Sequence, residues 1–456
     1  FGIKDKLGYM FGDFGNDFTF LLSAMFLLKF YTDVMGVSAA LVGLMMMAAR
    51  FVDAVTDVTM GQIVDRSRPG KKGKFAPWIR RMCGPVAVAS FLMYATYFKD
   101  MPMGFKIFWM FFTYLLWGSV CYTGVNIPYG SMASALSENP TDRTSLSNWR
   151  TIGATLAQTA IGVILPLVVY YTDAAGNKVL SGEKMMIGAL VCSIGAVICY
   201  MLCYHMTTER VKVEQNTQKF SFKELINELV HNKPLIGIIV CALVFLLAQL
   251  SLSNMNNYIY PNYFENVSAM SIANLAGTVI VLALSTFIVK LASKIGKKEL
   301  SVIGSIISAA SFLVLFFIHT DNVWVWMILV WISTIGTSMF NMIIWAMITD
   351  VIDDSEVKTG VRQDGTIYSV YSFARKLGQA CSSGISGVLL SIIGYTAATA
   401  HDPKVVDGIY NVTCLVPAIG MLLLFLALQF LYPLNKKRVE ENAKILKERR
   451  EAKNEL

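Results

Sequence analysis

Charge is scarce in this sequence: Asp, Glu, Lys and Arg make up 15% of its 456 residues, against 55% hydrophobic residues. A soluble chain of this length needs far more polar surface, so the solvent for most of it has to be lipid. Histidine is limited to four residues, His205, His231, His319 and His401, all at the ends of apolar runs or between them, which argues against a buried histidine relay. The eight cysteines fall in or beside apolar runs without metal-ligand spacing, which argues against a disulfide framework or a thiolate metal site. There is no Walker A loop, so the phosphate cradle of an ATP-driven machine is missing. Nor is there a nucleophile, metal or acid-base constellation at a position a membrane enzyme could use.

What the sequence has instead is apolar runs of about twenty residues, each long enough to cross a bilayer core. The mean hydropathy is +0.53. Helices are predicted over 7–32, 38–64, 78–98, 104–134, 146–171, 185–206, 234–260, 268–293, 299–318, 323–352, 364–394 and 408–432. The segment FGIKDK leads directly into the first run, so no cleavable signal is expected and the first helix is read as retained.

Basic residues gather in alternate connections: Lys4 and Lys6, Arg66 to Arg81, Arg143, Arg210 to Lys233, Lys290 to Lys298, Lys358 and Arg362, and Lys436 to Lys453. The positive-inside rule makes these cytoplasmic, with both termini inside and an even number of spans. The formal net charge of +8 is thus a topology signal, and a nucleic-acid partner is not expected. The tail after residue 432 mixes charges along a helix-prone stretch, as a solvated or membrane-surface helix does.

The expected fold is an all-α membrane protein of twelve transmembrane helices, built as an N-terminal six-helix half (1–206), a cytoplasmic middle loop (207–233), a C-terminal six-helix half (234–432) and a cytoplasmic tail (433–456). A weak internal repeat supports two parallel halves. Gly118-Ser119 leads to Asp142-Arg143 and then Trp149-Arg150-x-x-Gly153, and a span of similar length leads from Gly336 to Arg362 and then Arg375-Lys376-x-Gly378. In carriers built from such repeats, the substrate site lies at their interface near the midplane.

Several charges lie inside predicted spans: Asp13, Asp17, Lys29, Arg50, Asp53, Asp57, Arg375 and Lys376, with Arg150 near the start of its helix. Each costs at least about 2.5 kcal/mol at bilayer depth, so such groups pair or line a watery cavity. Arg50, Asp53 and Asp57 share one helical face. The two acids repel unless a cation or proton lies between them, which suits Na⁺ coordination or proton coupling; the plainer reading is an Arg50–Asp53 ion pair with Asp57 reaching a headgroup. Tyr122, Thr123 and Asn126, and Asn254, Asn257 and Tyr258, are neutral polar groups at helical spacing, read either as ligands or as helix–helix contacts. Trp345 lies one turn from Asn341, and a flat ring beside a hydrogen-bonding group suits a sugar.

With these residues in hand, the chain resembles the glycoside-pentoside-hexuronide:cation symporter family of the major facilitator superfamily over essentially its whole length. The motifs that carry the resemblance are GYMFGDFGNDF, AARFVDAVTDVTMGQIVDRSRPGKKGKFAPW, NIPYG, WAMITDVIDDSEVKTGVR and YSFARKLGQA. The resemblance implies sugar contacts at Asp17, Arg150 and Trp345, a cation site at Asp53, Asp57 and Thr123, and a role for Lys376. Members that carry α-galactosides have a lysine at Asn16, an asparagine at Thr56, an aspartate at Asn126 and a tryptophan at Gly130. NIPYG and the Arg-Lys-x-Gly-Gln run are instead similar to glucuronide and xyloside carriers.

The expectation is therefore a monomeric carrier of the bacterial inner membrane that takes up a glycoside with a monovalent cation, Na⁺ or H⁺, and has no cofactor beyond that ion. The substrate set is Asp17, Tyr122, Asn126, Arg150, Asn254, Asn341, Trp345, Arg375 and Lys376. The cation set is Asp53, Thr56, Asp57 and Thr123, and Asp65 with Arg66 is expected to gate the cytoplasmic side. A hexuronide or β-glucuronide is favoured over a neutral xyloside, because Arg375-Lys376 adds cations and Asn126 removes a carboxylate. A sugar sensor that binds without translocating is the reading from another class.

Overall fold

The computed structural model describes residues 1–137, 140–211, 232–360 and 364–454. Helix dominates. In chain order the helices are α1 (Ile3–Asp33), α2 (Ala39–Arg66), α3 (Ala76–Met93), α4 (Met103–Leu115), α5 (Thr123–Leu136), α6 (Pro140–Thr159), α7 (Leu165–Val169), α8 (Gly182–Met206), α9 (Lys233–Tyr258), α10 (Val267–Ile295), α11 (Lys297–Ile318), α12 (Val323–Thr359), α13 (Asp364–Ile392), α14 (Pro403–Leu426) and α15 (Lys436–Asn454). Four π-helical segments extend or join them: Leu116–Tyr122, Ala160–Ile164, Ile259–Tyr263 and Ala427–Leu431.

Among the described residues, nine helical stretches are long and apolar enough to cross a membrane. Of the other helices, α1 carries Asp13, Asp17 and Lys29, Arg80 and Arg81 lower the hydropathy of α3, and the described apolar part of α13, Leu377–Ile392, is a shorter stretch. Large apolar side chains face outward along the spans, Phe317 at 79% and Phe430 at 77% exposure, as a lipid-facing surface requires.

Several boundaries differ from the sequence reading. The third predicted helix stops at Met93 and is followed by a 3₁₀ turn, Thr96–Phe98. The fifth ends at Val169, where Tyr170–Thr172 (β1) pairs antiparallel with Lys178–Leu180 (β2) around the turn at Gly176. Helix α12 continues to Thr359 because its polar last turns are held: buried Asp354 accepts from Asn442 at 3.0 Å and pairs with Lys358 and Arg438, and Gly360 ends the helix in the left-handed region.

The chain forms two compact units. The first comprises Phe1–Gln218, Ser253–Leu275 and Ser383–Ile409; here α1 packs along α6 and α8, and α3 along α8. The segment after α8 straps this unit at one end. Arg210 makes a two-pronged pair with Asp5 (3.0 and 3.1 Å), and the Glu209 carboxylate accepts the backbone N–H groups of Lys74, Phe75 and Ala76 (2.7, 2.9 and 2.7 Å) at the start of α3.

The second unit comprises Lys219–Leu252, Ala276–Ser382 and Tyr410–Leu456, with an apolar core that includes Phe245, Phe340, Met347, Tyr371 and Leu428. Its tightest seam joins α11 to α12. A Cβ on Gly304 would lie 2.4 Å from the Gly336 carbonyl oxygen, one on Gly336 2.3 Å from that of Gly304, and Ser308 and Ser333 share a 2.6 Å hydrogen bond one turn away. Gly336→Leu is expected to destabilise the protein by about 3 kcal/mol, because backbone rather than a mobile side chain blocks the added carbon. Ser333→Ala should cost about 1 kcal/mol. Thermal unfolding in detergent, followed by tryptophan fluorescence, checks both.

Candidate substrate and ion sites

In the first unit, α2 presents Arg50, Asp53 and Asp57 on one face, and each carboxylate has its own partners. Arg50 Nη1 is 3.1 Å from Asp53 Oδ2, and its guanidinium lies over the rings of Phe20 and Tyr114 at 5.1 and 5.9 Å. The second Asp53 oxygen accepts from Ser119 Oγ at 2.5 Å. Asp57 Oδ1 accepts from Thr123 Oγ1 at 2.9 Å, and the Gly118 carbonyl, 3.1 Å from the same hydroxyl, competes for its one proton. Thr56 donates back to the Asp53 carbonyl at 3.1 Å, leaving its hydroxyl oxygen as an acceptor.

This arrangement depends on the π segment Leu116–Tyr122. An extra residue in one helical turn shifts the following side chains round the axis, and here Ser119 and Thr123 both come to face α2. The oxygens of Asp53, Asp57, Thr56, Thr123 and Gly118 are hard donors, a set suited to Na⁺ or a shared proton.

A second cluster joins α1 to α5, α6 and α8. Arg150 Nε is 2.8 Å from Asp13 Oδ1, and its guanidinium lies 5.6 Å from the Tyr129 ring. Asn16 accepts from the Tyr200 hydroxyl at 2.9 Å and approaches Asn126 at 3.5 Å. Asp17 lies one turn beyond Asp13 and has no hydrogen bond or ion pair among the described residues, so its oxygens are available to a ligand. Tyr122 stacks on Phe20 at 5.8 Å. Asn254 donates to Ser386 at 3.4 Å, a helix–helix contact of α9 with α13.

In the second unit, Arg375 of α13 lies 5.1 Å over the ring of Trp345, whose edge meets Tyr371 at 5.2 Å. Trp345 and Asn341, one turn apart on α12, are both exposed. A guanidinium held over an indole ring has N–H groups that can bind a carboxylate or hydroxyl. The side chains of Asp65, Arg66 and Lys376 lie outside those described.

Sequence reasoning missed Ser119 as a partner of Asp53, although it lies four residues before Thr123 and one helical turn therefore brings the two to similar faces. It also treated Asp13 only as a buried charge and not as the partner of Arg150.

Residues 8–436 match a family model described as MFS/sugar transport protein. The sequence is 34% identical over 440 residues to the uncharacterized symporter YjmB of Bacillus subtilis (strain 168), covering 95% of this chain and 92% of that one. It is 32% identical over 446 residues to the glucuronide carrier protein homolog of Escherichia coli (strain K12), covering 95% and 93%. The isoprimeverose transporter of Lactiplantibacillus pentosus is 29% identical, covering 96% and 93%. Among solved structures, a bacterial homolog of the human lysosomal transporter Spinster, inward-facing and unoccupied, superposes with a TM-score of 0.67 at 11% identity (94% and 96% covered), and the nucleoside transporter NupG with 0.62 at 16% (95% and 100% covered). At those identities the likeness is one of fold alone.

Proposed function

This chain belongs to the MFS/sugar transport protein family, as a multi-pass membrane carrier and not an enzyme, and from that premise we propose that it imports a glycoside with a monovalent cation by alternating access. The favoured substrate is a hexuronide or β-glucuronide. The favoured setting is the inner membrane, with twelve spans, cytoplasmic termini and a monomeric carrier.

The observation that carries the substrate reading is the Arg375 guanidinium 5.1 Å over the ring of exposed Trp345. A sugar ring packs against the indole, and a sugar carboxylate meets the guanidinium in a charge-assisted hydrogen bond, stronger than a neutral one. In the first unit, Asp17 is the proposed acceptor of sugar hydroxyls, and Asn126 adds no second carboxylate to that set. The Asp53, Asp57, Thr56 and Thr123 oxygens receive the cation, Na⁺ or H⁺. Asp65 and Arg66 close the cytoplasmic side, so Asp65→Ala should shift cysteine accessibility between the two faces without changing sugar preference.

The test is uptake of labelled phenyl β-glucuronide into proteoliposomes under an imposed Na⁺ or proton gradient. The glucuronide should compete at least about tenfold better than phenyl β-glucoside, and Arg375→Gln or Lys376→Gln should erase that preference. A neutral xyloside or glucoside that wins in the unmodified protein overturns the uronide reading in favour of a pentoside carrier. Binding without counterflow overturns transport in favour of a sensor.

A further inference from the structure

At the end of the first unit where the basic connections gather, two cations converge on one tyrosine. Tyr204, in the last turn of α8, is 9% exposed. Lys72 Nζ lies 4.4 Å from its ring centroid and the Arg80 guanidinium 5.6 Å, and the His205 ring makes a T-shaped contact with it at 5.1 Å. The Tyr204 hydroxyl has no hydrogen-bond partner among the described residues, which is unusual for a tyrosine this buried. Lys71, Lys72, Arg80 and Arg81 are all exposed, and none of them makes an ion pair among the described residues. Glu209, the acid packed against this loop, is already engaged by the backbone N–H groups of Lys74, Phe75 and Ala76.

The cluster stands at the foot of two apolar stripes on helices that pack along each other, α3 and α8. On α3, Arg81 is followed at helical spacing by exposed Pro85 and Val88. On α8, Ile187, Val191, Ile194 and Ile198 are exposed, and exposed His205 falls two turns beyond Ile198 on the same face. Arg81 and His205 are therefore the polar ends of faces that acyl chains cover, where lipid phosphates lie. A topology signal needs basic residues only somewhere in the connection. It does not need two of them over one buried ring, or a third at the end of a lipid-facing stripe.

We propose that this cluster binds an anionic phospholipid of the adjoining leaflet, the cytoplasmic one on the proposed orientation. Lys72 and Arg80 take the phosphate oxygens in charge-assisted hydrogen bonds, the Tyr204 hydroxyl donates to the same group, and the acyl chains run along the α3 and α8 stripes. A zwitterionic lipid gains less, because no described carboxylate is left for its ammonium, and a soluble phosphate gains nothing from the stripes. The site rests on the membrane placement of the chain and not on the sugar, the ion or the direction of transport.

Native mass spectrometry of the full-length carrier in detergent, titrated with phosphatidylglycerol or with phosphatidylcholine of the same acyl chains, tests this. The parent should bind its first phosphatidylglycerol at least about tenfold more tightly than phosphatidylcholine. Lys72→Gln/Arg80→Gln should lose at least about tenfold in phosphatidylglycerol affinity with phosphatidylcholine unchanged, and Tyr204→Phe should lose about fivefold. Lys444→Gln/Lys447→Gln, which removes the same charge from exposed positions of α15, should bind as the parent does. Undiminished phosphatidylglycerol binding in the loop variant and in Tyr204→Phe overturns the site. So does an equal loss in the α15 variant, which reduces the effect to net charge, or displacement of the lipid by excess glycerol 3-phosphate, which makes the cluster a site for a soluble anion. If Lys72→Gln/Arg80→Gln does not fold, Tyr204→Phe decides, because it removes one oxygen and keeps the ring beneath both cations.

Discussion

Asp57→Asn is expected to abolish accumulation of sugar against its gradient while leaving exchange across the membrane in place. One monovalent cation moving down 100 mV supplies about 2.3 kcal/mol, enough for roughly fiftyfold accumulation. Asparagine keeps the shape of Asp57 and can still meet Thr123, but removes the charge that a cation or proton needs. Accumulation should therefore fall to about the external concentration, with counterflow retained. Asp53→Asn is expected to lose accumulation as well and to be the less stable variant, because it leaves Arg50 without the carboxylate that now holds it. Thr123→Ala should keep coupling but weaken ion affinity about tenfold, having lost one neutral ligand. Uptake measured against the imposed gradient, with exchange in the same vesicles as control, reads all three. Full accumulation in both acid variants would remove these carboxylates from the coupling site.

Much of this was legible in the sequence because bilayer thickness and helical rise set the length of an apolar run, so each predicted range is covered by helix among the described residues apart from a few residues at the ends. The face shared by Arg50, Asp53 and Asp57 was equally readable, being a matter of spacing along one helix. Two kinds of feature were not. The π segments leave no compositional trace, so the four-residue spacing of Ser119 and Thr123 was visible while the local register that aims Ser119 at Asp53 was not. Pairings across long stretches of chain were also hidden. Lys29 was visible as a charge inside a span, but its acceptors Asn262 and Tyr395 lie 233 and 366 residues away, and many other polar residues were candidates. The hairpin at Tyr170–Leu180 was lost for a different reason: its first strand, Tyr-Tyr-Thr, continues the apolar run of α7, so hydropathy alone could not end the helix at Val169.

The Asp13–Arg150 pair should respond unequally to loss of its two members. Asp13 is 6% exposed at the side chain and Arg150 is 46% exposed, with the two in contact at 2.8 Å. Arg150→Ala leaves a buried carboxylate with neither counter-ion nor water, a loss of about 3 kcal/mol, the low end for a broken buried pair because one partner already touches solvent. Asp13→Ala leaves a guanidinium that turns outward or rests on the Tyr129 ring, and should cost about 1 kcal/mol. The double variant should then lie near Asp13→Ala alone, giving a coupling of about 3 kcal/mol. Thermal midpoints of the purified carrier in detergent test the order. Function should follow a different order. Asp17, one turn along α1, has no such partner among the described residues, so Asp17→Asn should leave stability within about 0.5 kcal/mol of the parent. In the proposed site it should still lower sugar affinity at least about tenfold, the equivalent of one charge-assisted hydrogen bond. If Arg150→Ala is no less stable than Asp13→Ala, then water reaches Asp13 and the pair is not the buried anchor of α1 to α6. If Asp17→Asn binds sugar as well as the parent, the ligand lies elsewhere along α1.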